Sequence, residues 1–383
     1  MQTYDWIVIG AGITGASLSY ELTQQGFSVL LLDADPDPPS ATRFSYGGIA
    51  YWSGTTDLTR QLCAESKAIY QTLSAELGAD TEFREIDLLL SISPESNPEA
   101  LIQNYSHFAD PPKFLTVEAA CEREPLLDPN GIAGALTVKH GHIDAGKTAR
   151  AYIEAMQRST GVYKIATVKT LISGGVSTSD GDFFAANTVV CIGALTRQFL
   201  KDAGLLIAQY FTHAEIIEIP RSELRLNTLV MPAEAERFKL EAEATRDDRV
   251  WDQPGQEPAP AILDAGAVQF LDSRILIGQV SRTLTDPNAA IDAVQSEADL
   301  RTKISQVMPK VGELKGTWQH CLIAFSRDRL PLVGAVPGAE GLYVFSGFSN
   351  PLALVPPLAR RFAIQATCDR DPLLQQVLPE RFI

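Results

Sequence analysis

The chain has 383 residues, 45% of them hydrophobic, enough for two or three structural units around a sizeable core. A formal net charge of −15 argues against nucleic acid and against anionic membrane surfaces as partners. No apolar run reaches spanning length and no basic leader region opens the chain. The cysteines Cys63, Cys121, Cys191, Cys321 and Cys368 are widely spaced and odd in number, without metal-ligand spacing; the expectation is a reduced, cytoplasmic protein with no membrane span.

The first elements carry the strongest signal. Asp5-Trp6-Ile7-Val8-Ile9 predicts a buried strand, and Gly10-Ala11-Gly12-Ile13-Thr14-Gly15 follows at once. Residues 14–25 are helical in pattern, with Ala16, Leu18 and Leu22 on an apolar face, and Gly26 ends the helix. Val29-Leu30-Leu31-Leu32 predicts a second strand that stops on Asp33, followed by Ala34. This is G-x-G-x-x-G inside a complete βαβ context, the fingerprint of a dinucleotide site. Gly10 permits the turn, Gly12 lets backbone approach a pyrophosphate, and Gly15 lets helix and strand pack closely. The helix N-terminus favours phosphate, and Asp33 suits a ribose hydroxyl pair.

Further along, the proline-rich 36–40 is a stiff connection, and Ser45-Tyr46-Gly47-Gly48-Ile49 is a second glycine loop. Residues 57–77 predict a helix with Leu62, Ile69, Leu73 and Leu77 on one face, ended by Gly78. Strands are expected at 88–92, 165–168, 171–172, 188–192, 216–219 and 275–278, and helices at 116–120, 145–159 and 292–308. Residues 253–260 are a proline-rich loop. Lys139-His140-Gly141-His142 is expected to be a turn rather than a metal site.

Four blocks in this order resemble the D-amino-acid oxidase superfamily of FAD-dependent amine oxidoreductases, the group of glycine oxidase and sarcosine oxidase. They are residues 7–33, residues 40–51, Gly141-His142-Ile143-Asp144 continuing through Val168 to Val189-Val190-Cys191-Ile192-Gly193-Ala194, and Ser326-Arg327-Asp328-Arg329-Leu330-Pro331-Leu332-Val333-Gly334 followed by Gly341 to Gly347. The resemblance implies an α/β fold of the glutathione-reductase type, a Rossmann-like FAD-binding domain interleaved with a β-rich α+β substrate domain. The expected boundaries are 1–79, 141–208 and 318–383 for FAD, and 80–140 and 209–317 for the substrate or cap domain.

The resemblance also implies FAD as cofactor, near Gly10, Ala11, Gly12, Ile13, Thr14, Gly15, Asp33, Ala34, Arg43, Ser45, Gly47, Gly48, Val168, Gly193, Cys321, Gly347, Ser349, Asn350, Pro351 and Leu352. Asp33 replaces the glutamate common in FAD relatives. The implied reaction oxidises the C–N bond of a small-molecule amine or amino acid. Hydride passes from carbon to flavin N5, the imine hydrolyses, and electrons leave to oxygen or another acceptor. Two alternatives stay open: a same-fold dehydrogenase serving a quinone or carrier, and a non-catalytic flavin-binding accessory protein.

The chain departs from its relatives where they grip a carboxylate. An Arg-Pro pair expected five and four residues before Asp328 is replaced by Ile323 and Ala324, and the C-terminal glycine turn carries Phe348 and Pro351 in place of a histidine and a lysine. Arg43, Arg327 and Arg329 are candidate substitutes. Tyr46, Tyr51, Trp52, Tyr210, His213, Gln269 and Phe348 are candidates to line the pocket, with ordinary packing as the alternative for each. Cys321 stands seven residues before Asp328, the spacing of the flavin-linked cysteine in covalent sarcosine oxidases; His320 is a second candidate for such a link and a buried apolar cysteine the plain alternative.

Overall fold

A computed structural model describes residues 3–234, 236–367 and 370–382; Cys368 lies outside them. Two sheets organise these residues. The first runs in the order Leu332–Ala335, Leu342–Ser346, Gly181–Val190, Thr3–Ile9, Val29–Asp33, Gly161–Ile165. Its four central pairings are parallel. Such strands are covered on both faces, which is why Ile7 and Val8 are both fully buried in an unbroken apolar run. Val8 and Leu31 face a core shared with helices Ile13–Gln24, Asp57–Leu77, Ala145–Gln157 and Pro351–Gln365, while Ile7, Ile9 and Leu30 face a second core with Val176 and Leu200.

The helix Asp57–Leu77 occupies the span its periodicity predicts. Thr56 caps it and exchanges hydrogen bonds with Thr59, and Gly78 closes it in a left-handed conformation at φ 59°. Pro351–Gln365 starts on a proline and carries Pro356 and Pro357 internally, both buried.

The second sheet runs Thr317–Ser326, Gln209–Ile219, Ile275–Arg282, Ile262–Gln269, Leu229–Pro232, Arg84–Ile92, Gly134–His142, Gly48–Ile49. Its two faces follow the two-residue alternation of strands. Leu88, Leu90, Leu136, Ala214, Ile216, Val268 and Leu276 face the first unit. Leu89, Ala135, Ile217, Ala267 and Ile277 face away, against Leu300 and Ile304 of helix Ala293–Val307.

Thr317–Ser326 pairs along its whole length with Gln209–Ile219 in the second sheet, and the chain enters the first sheet at Leu332. Two local expectations need correction. Ala166 and Thr167 connect two strands and belong to neither. Lys139 to His142 is the end of a strand, not a turn, and both rings are buried in it. Trp52 Nε1–H donates to His140 Nδ1 at 3.0 Å, and Arg84 Nε–H to His142 Nδ1 at 3.4 Å. Among the described residues no cluster of His, Cys, Asp and Glu suits a metal.

Burial holds both imidazoles neutral, with pKa values pushed down to about 3. In the unfolded chain a histidine protonates near 6.5. The folded values are depressed, so the contribution is complete above about pH 6.5 and is lost as pH falls below it, by up to about 1.4 kcal/mol per pH unit per ring. Urea unfolding should therefore show stability declining from pH 7 to pH 5. His140→Gln, which keeps an acceptor for Trp52, should make that decline shallower.

Candidate active site

A cavity of about 870 Å³ runs between the two sheets. One end is built by the glycine loop. Gly10 sits at φ 100°, and a Cβ there would lie 2.7 Å from the Cys191 carbonyl oxygen. A Cβ on Gly15 would lie 1.8 Å from the Gly10 carbonyl oxygen, so only glycine lets helix and strand meet. Gly12 lines the cavity, and a Cβ on it would have only the Thr42 hydroxyl within 4 Å, at 3.1 Å. Thr42 Oγ1 also accepts the Ile13 N–H at 3.0 Å. The Asp33 carboxylate caps the neighbouring strand and accepts the Ala11 N–H at 2.6 Å.

Of the residues expected from sequence, Gly10, Ala11, Gly12, Ile13, Thr14, Asp33, Ala34, Arg43, Ser45, Val168, Gly193, Gly347, Phe348, Pro351 and Leu352 line this cavity together. Others do not. Gly15 lies under the loop. Gly47 and Gly48 back onto Ile143 and His140, and Asn350 donates to Ser53 Oγ at 3.4 Å. Ser349 Oγ is buried away from the cavity wall.

Three pocket candidates are also displaced. The Tyr51 hydroxyl donates to Glu85 at 2.5 Å. Gln269 spans the Leu226 N–H and Leu224 carbonyl with its side-chain amide. His213 lies on the far face of the second sheet, stacked on His320 with ring nitrogens 2.9 Å apart. Two of the candidate arginines are likewise turned away: Arg327 donates to the Tyr210 hydroxyl, and Arg329 lies over the Phe238 ring.

The cavity changes character along its length. The dinucleotide end carries Asp33, Asp35, Asp37, Arg43, Lys147 and Arg150. Arg43 is held loosely, 3.9 Å from Asp37 and 3.7 Å from Glu218. Arg274 bridges the units, bonded to Asp144 at 2.7 Å and 3.6 Å from Glu218, with its guanidinium over Phe270. Leu322, Ile323, Ala324 and Phe348 form an apolar stretch of the wall. Tyr46 stands beside it, its hydroxyl 2.9 Å from the Gly278 carbonyl and 3.1 Å from that of Gly266, tying the glycine loop to the second sheet. Sequence reading missed Thr42, Lys147, Glu218 and Arg274. Lys147 had a signal, since its backbone N–H caps onto Asp144 at the start of a predicted helix. Glu218 and Arg274 sit at strand ends far apart in the chain and had none.

Cys321 is buried and is not on the cavity wall. Burial pushes its thiol up to about 12, with Arg237 opposing only in part. A thiol held neutral in this way is a poor nucleophile.

Similarity to known proteins agrees with this geometry. The profile of the DAO family, FAD dependent oxidoreductase, matches residues 5–363. This chain belongs to that family. It is 23% identical to the glycine oxidase of Geobacillus kaustophilus over 93% of this chain and 90% of that one. It is 26% identical to human peroxisomal sarcosine oxidase over 58% of this chain and 56% of that protein. The fold superposes on the crystal structure of G. kaustophilus glycine oxidase with TM-score 0.80, covering 100% of both chains at 21% identity. It also superposes on L-proline dehydrogenase from P. horikoshii with TM-score 0.80 at 19% identity, over 100% of this chain and 98% of that one. The protein is thus an FAD-dependent oxidoreductase. Among its described residues no helix is long and apolar enough to cross a membrane.

Two outcomes are expected. Gly12→Val should place a side chain in the pyrophosphate path and yield folded, colourless protein, checked by absorbance near the flavin band and by circular dichroism. Acid precipitation of the wild-type holoenzyme should leave the pellet colourless and the flavin in the supernatant.

Proposed function

We propose that this flavoenzyme oxidises the C–N bond of a small amine or amino acid at the apolar end of the cavity. The dinucleotide would lie along the wall from Asp33 through Gly12 to Gly193, and the ring would end against Gly347, Phe348 and Pro351. FAD supplies a two-electron acceptor at N5, and the resulting imine hydrolyses in water. The observation that carries the reading is one cavity whose wall joins the glycine loop and Asp33 to the apolar Leu322, Ile323, Ala324 and Phe348.

The residues at that end position and desolvate. Phe348 is buried against Phe345, with ring centroids 5.0 Å apart, and gives a fixed wall. Leu322, Ile323 and Ala324 keep water from the reacting carbon, and holding that carbon in line is the larger part of the work. The helix Pro351–Gln365 begins at the cavity, so its positive end points where negative charge builds on reduction. Leu322, Ile323, Ala324 and Phe348 themselves offer no group to remove a proton. The amine must therefore arrive uncharged, since a dry wall without a counter-charge penalises an ammonium.

Anaerobic mixing with D- and L-amino acids, N-methyl amino acids, simple amines and polyamines tests the reading. At least one class should bleach the flavin absorbance, and kcat/KM for it should rise with pH toward the amine's own pKa. Failure of every class to reduce a flavin that dithionite does reduce would remove the proposal. Hydrogen peroxide on readmission of air would mark oxygen as the acceptor; slow reoxidation rescued by a quinone would mark a carrier.

A further inference from the structure

Leu322, Ile323 and Ala324 are consecutive, and all three line the cavity. Successive side chains on a strand point to opposite faces of its sheet. One cavity touched by three residues in a row therefore runs along the edge of the strand rather than over one face. The strand that carries them, Thr317–Ser326, is the last of its sheet. It pairs with Gln209–Ile219 on one side and, among the described residues, with no strand on the other.

An antiparallel edge strand turns both the N–H and the C=O of every second residue away from its neighbour. At least one residue of Leu322 to Ala324 thus directs both groups at the cavity. Among the described residues, no group outside the sheet bonds the main chain of these three. Main-chain groups must be hydrogen-bonded, and water serves them in an open cavity. A ligand that displaces this water must supply a donor and an acceptor, or its binding costs both bonds.

The spacing of the two groups selects the ligand. In an antiparallel ladder a facing residue exchanges both bonds through its own N–H and C=O, which flank a single carbon. An α-amino amide has that arrangement, and the carbon between its amine and its carbonyl is the one that amine oxidation attacks. The side chains beside it add no charge: Leu322, Ile323, Ala324 and Phe348 are apolar, and acidic side chains outnumber basic ones on the cavity wall as a whole. A carboxylate at the same place would lack a counter-charge, whereas a neutral amide with its bonds made is buried at little cost.

We propose that the open strand edge at Leu322, Ile323 and Ala324 recognises the substrate, and that the substrate is an α-amino amide: an amino-acid amide or the first residue of a short peptide, docked as one residue of an added strand. This rests on the amine-oxidation reading above. Recognition comes from the main chain, and the apolar side chains keep the reacting carbon dry.

The test uses the FAD-loaded enzyme. Amino-acid amides, the matching free acids and the matching alkylamines without a carbonyl are compared by anaerobic flavin bleaching. N-acetylglycinamide and N-acetylglycine, which carry no oxidisable amine, are titrated while the flavin absorbance is followed. Leu322→Pro, Ile323→Pro and Ala324→Pro each remove one N–H, and an edge strand tolerates proline where that N–H points outward. The amide should exceed the free acid in kcat/KM on the order of 10- to 100-fold, and the alkylamine by about tenfold. N-acetylglycinamide should perturb the flavin spectrum at concentrations where N-acetylglycine does not. A proline variant at an outward-facing position should keep its flavin content and melting temperature and lose most of the preference for amide over alkylamine. Should none of the three variants fold, the wild-type substrate comparison decides alone. Bleaching by all three classes with equal kcat/KM, or a preference for the free acid, overturns the proposal and leaves amine oxidation standing. Full amide preference in every folded proline variant overturns it too, as does a dimer in solution that these variants dissociate, which would assign the edge to a second copy. Binding of N-acetylglycinamide that a folded proline variant loses, without bleaching by any amine, would support the edge site and remove the catalytic reading.

Discussion

The close approach of the first helix to the first strand is the constraint on which the rest depends. Gly15 rests against the Gly10 carbonyl, and Gly10 against the backbone of Cys191. Two segments distant in sequence are brought to one point: the strand Thr3–Ile9 with the glycine loop that follows it, and the end of Gly181–Val190, which pairs with that strand in parallel. A methyl group at either glycine would push the helix away from the strand, and with it the backbone amides that face a pyrophosphate. The Thr14 hydroxyl fastens the same point from the other side, donating to the Cys191 carbonyl at 3.3 Å. The fingerprint is thus a packing requirement first, and a ligand site because of it.

The second constraint is the seam between the sheets. The glycine loop is bonded to the second sheet through Tyr46, whose single hydroxyl meets carbonyls on two neighbouring strands. Burial holds that phenol protonated, since desolvation raises its pKa far above the ordinary value. Trp52, further along the loop, is bonded to buried His140, and Arg274 joins the second sheet to Asp144, the cap of helix Ala145–Gln157. Each contact is desolvated, so each is costly to break. Together they fix the loop that borders the reaction end of the cavity, which a mobile loop could not hold to the tolerance that positioning requires.

Legibility followed the range of the interactions. The strand, glycine loop, helix and second strand at the start were readable because each is set by neighbours in sequence. So was Asp57–Leu77, with its cap and closing glycine. Pro351–Gln365 was read only as part of the expected FAD-binding segment 318–383, because Pro356 and Pro357 interrupt its helical signal. In the structure both prolines are buried within a helix that tertiary packing against Ile13–Gln24 and Asp57–Leu77 supports. The pocket was less readable than the nucleotide loop. His213 and Gln269 are polar residues on strands, whose faces are decided by register, and a shift of one residue exchanges the faces. His213 falls on the side of Glu215 and Ser296, away from the cavity.

The two ends of the cavity place opposite demands on the same protein. At the dinucleotide end, acids and bases lie close together and partly solvated, where ion pairs contribute little to stability but set the polarity a charged ligand meets. At the reaction end the walls are apolar, and any charge there must be matched or excluded. Cys321 shows what that environment does to a titratable group: its thiol is pushed up to about 12 although Arg237 is near enough to oppose the shift. The same desolvation acts on an incoming amine, favouring its neutral, oxidisable form, and on a carboxylate, which would be rejected unless a cation were waiting. A site that is dry where hydride leaves carbon therefore places its polar recognition away from the apolar side chains of Leu322, Ile323, Ala324 and Phe348.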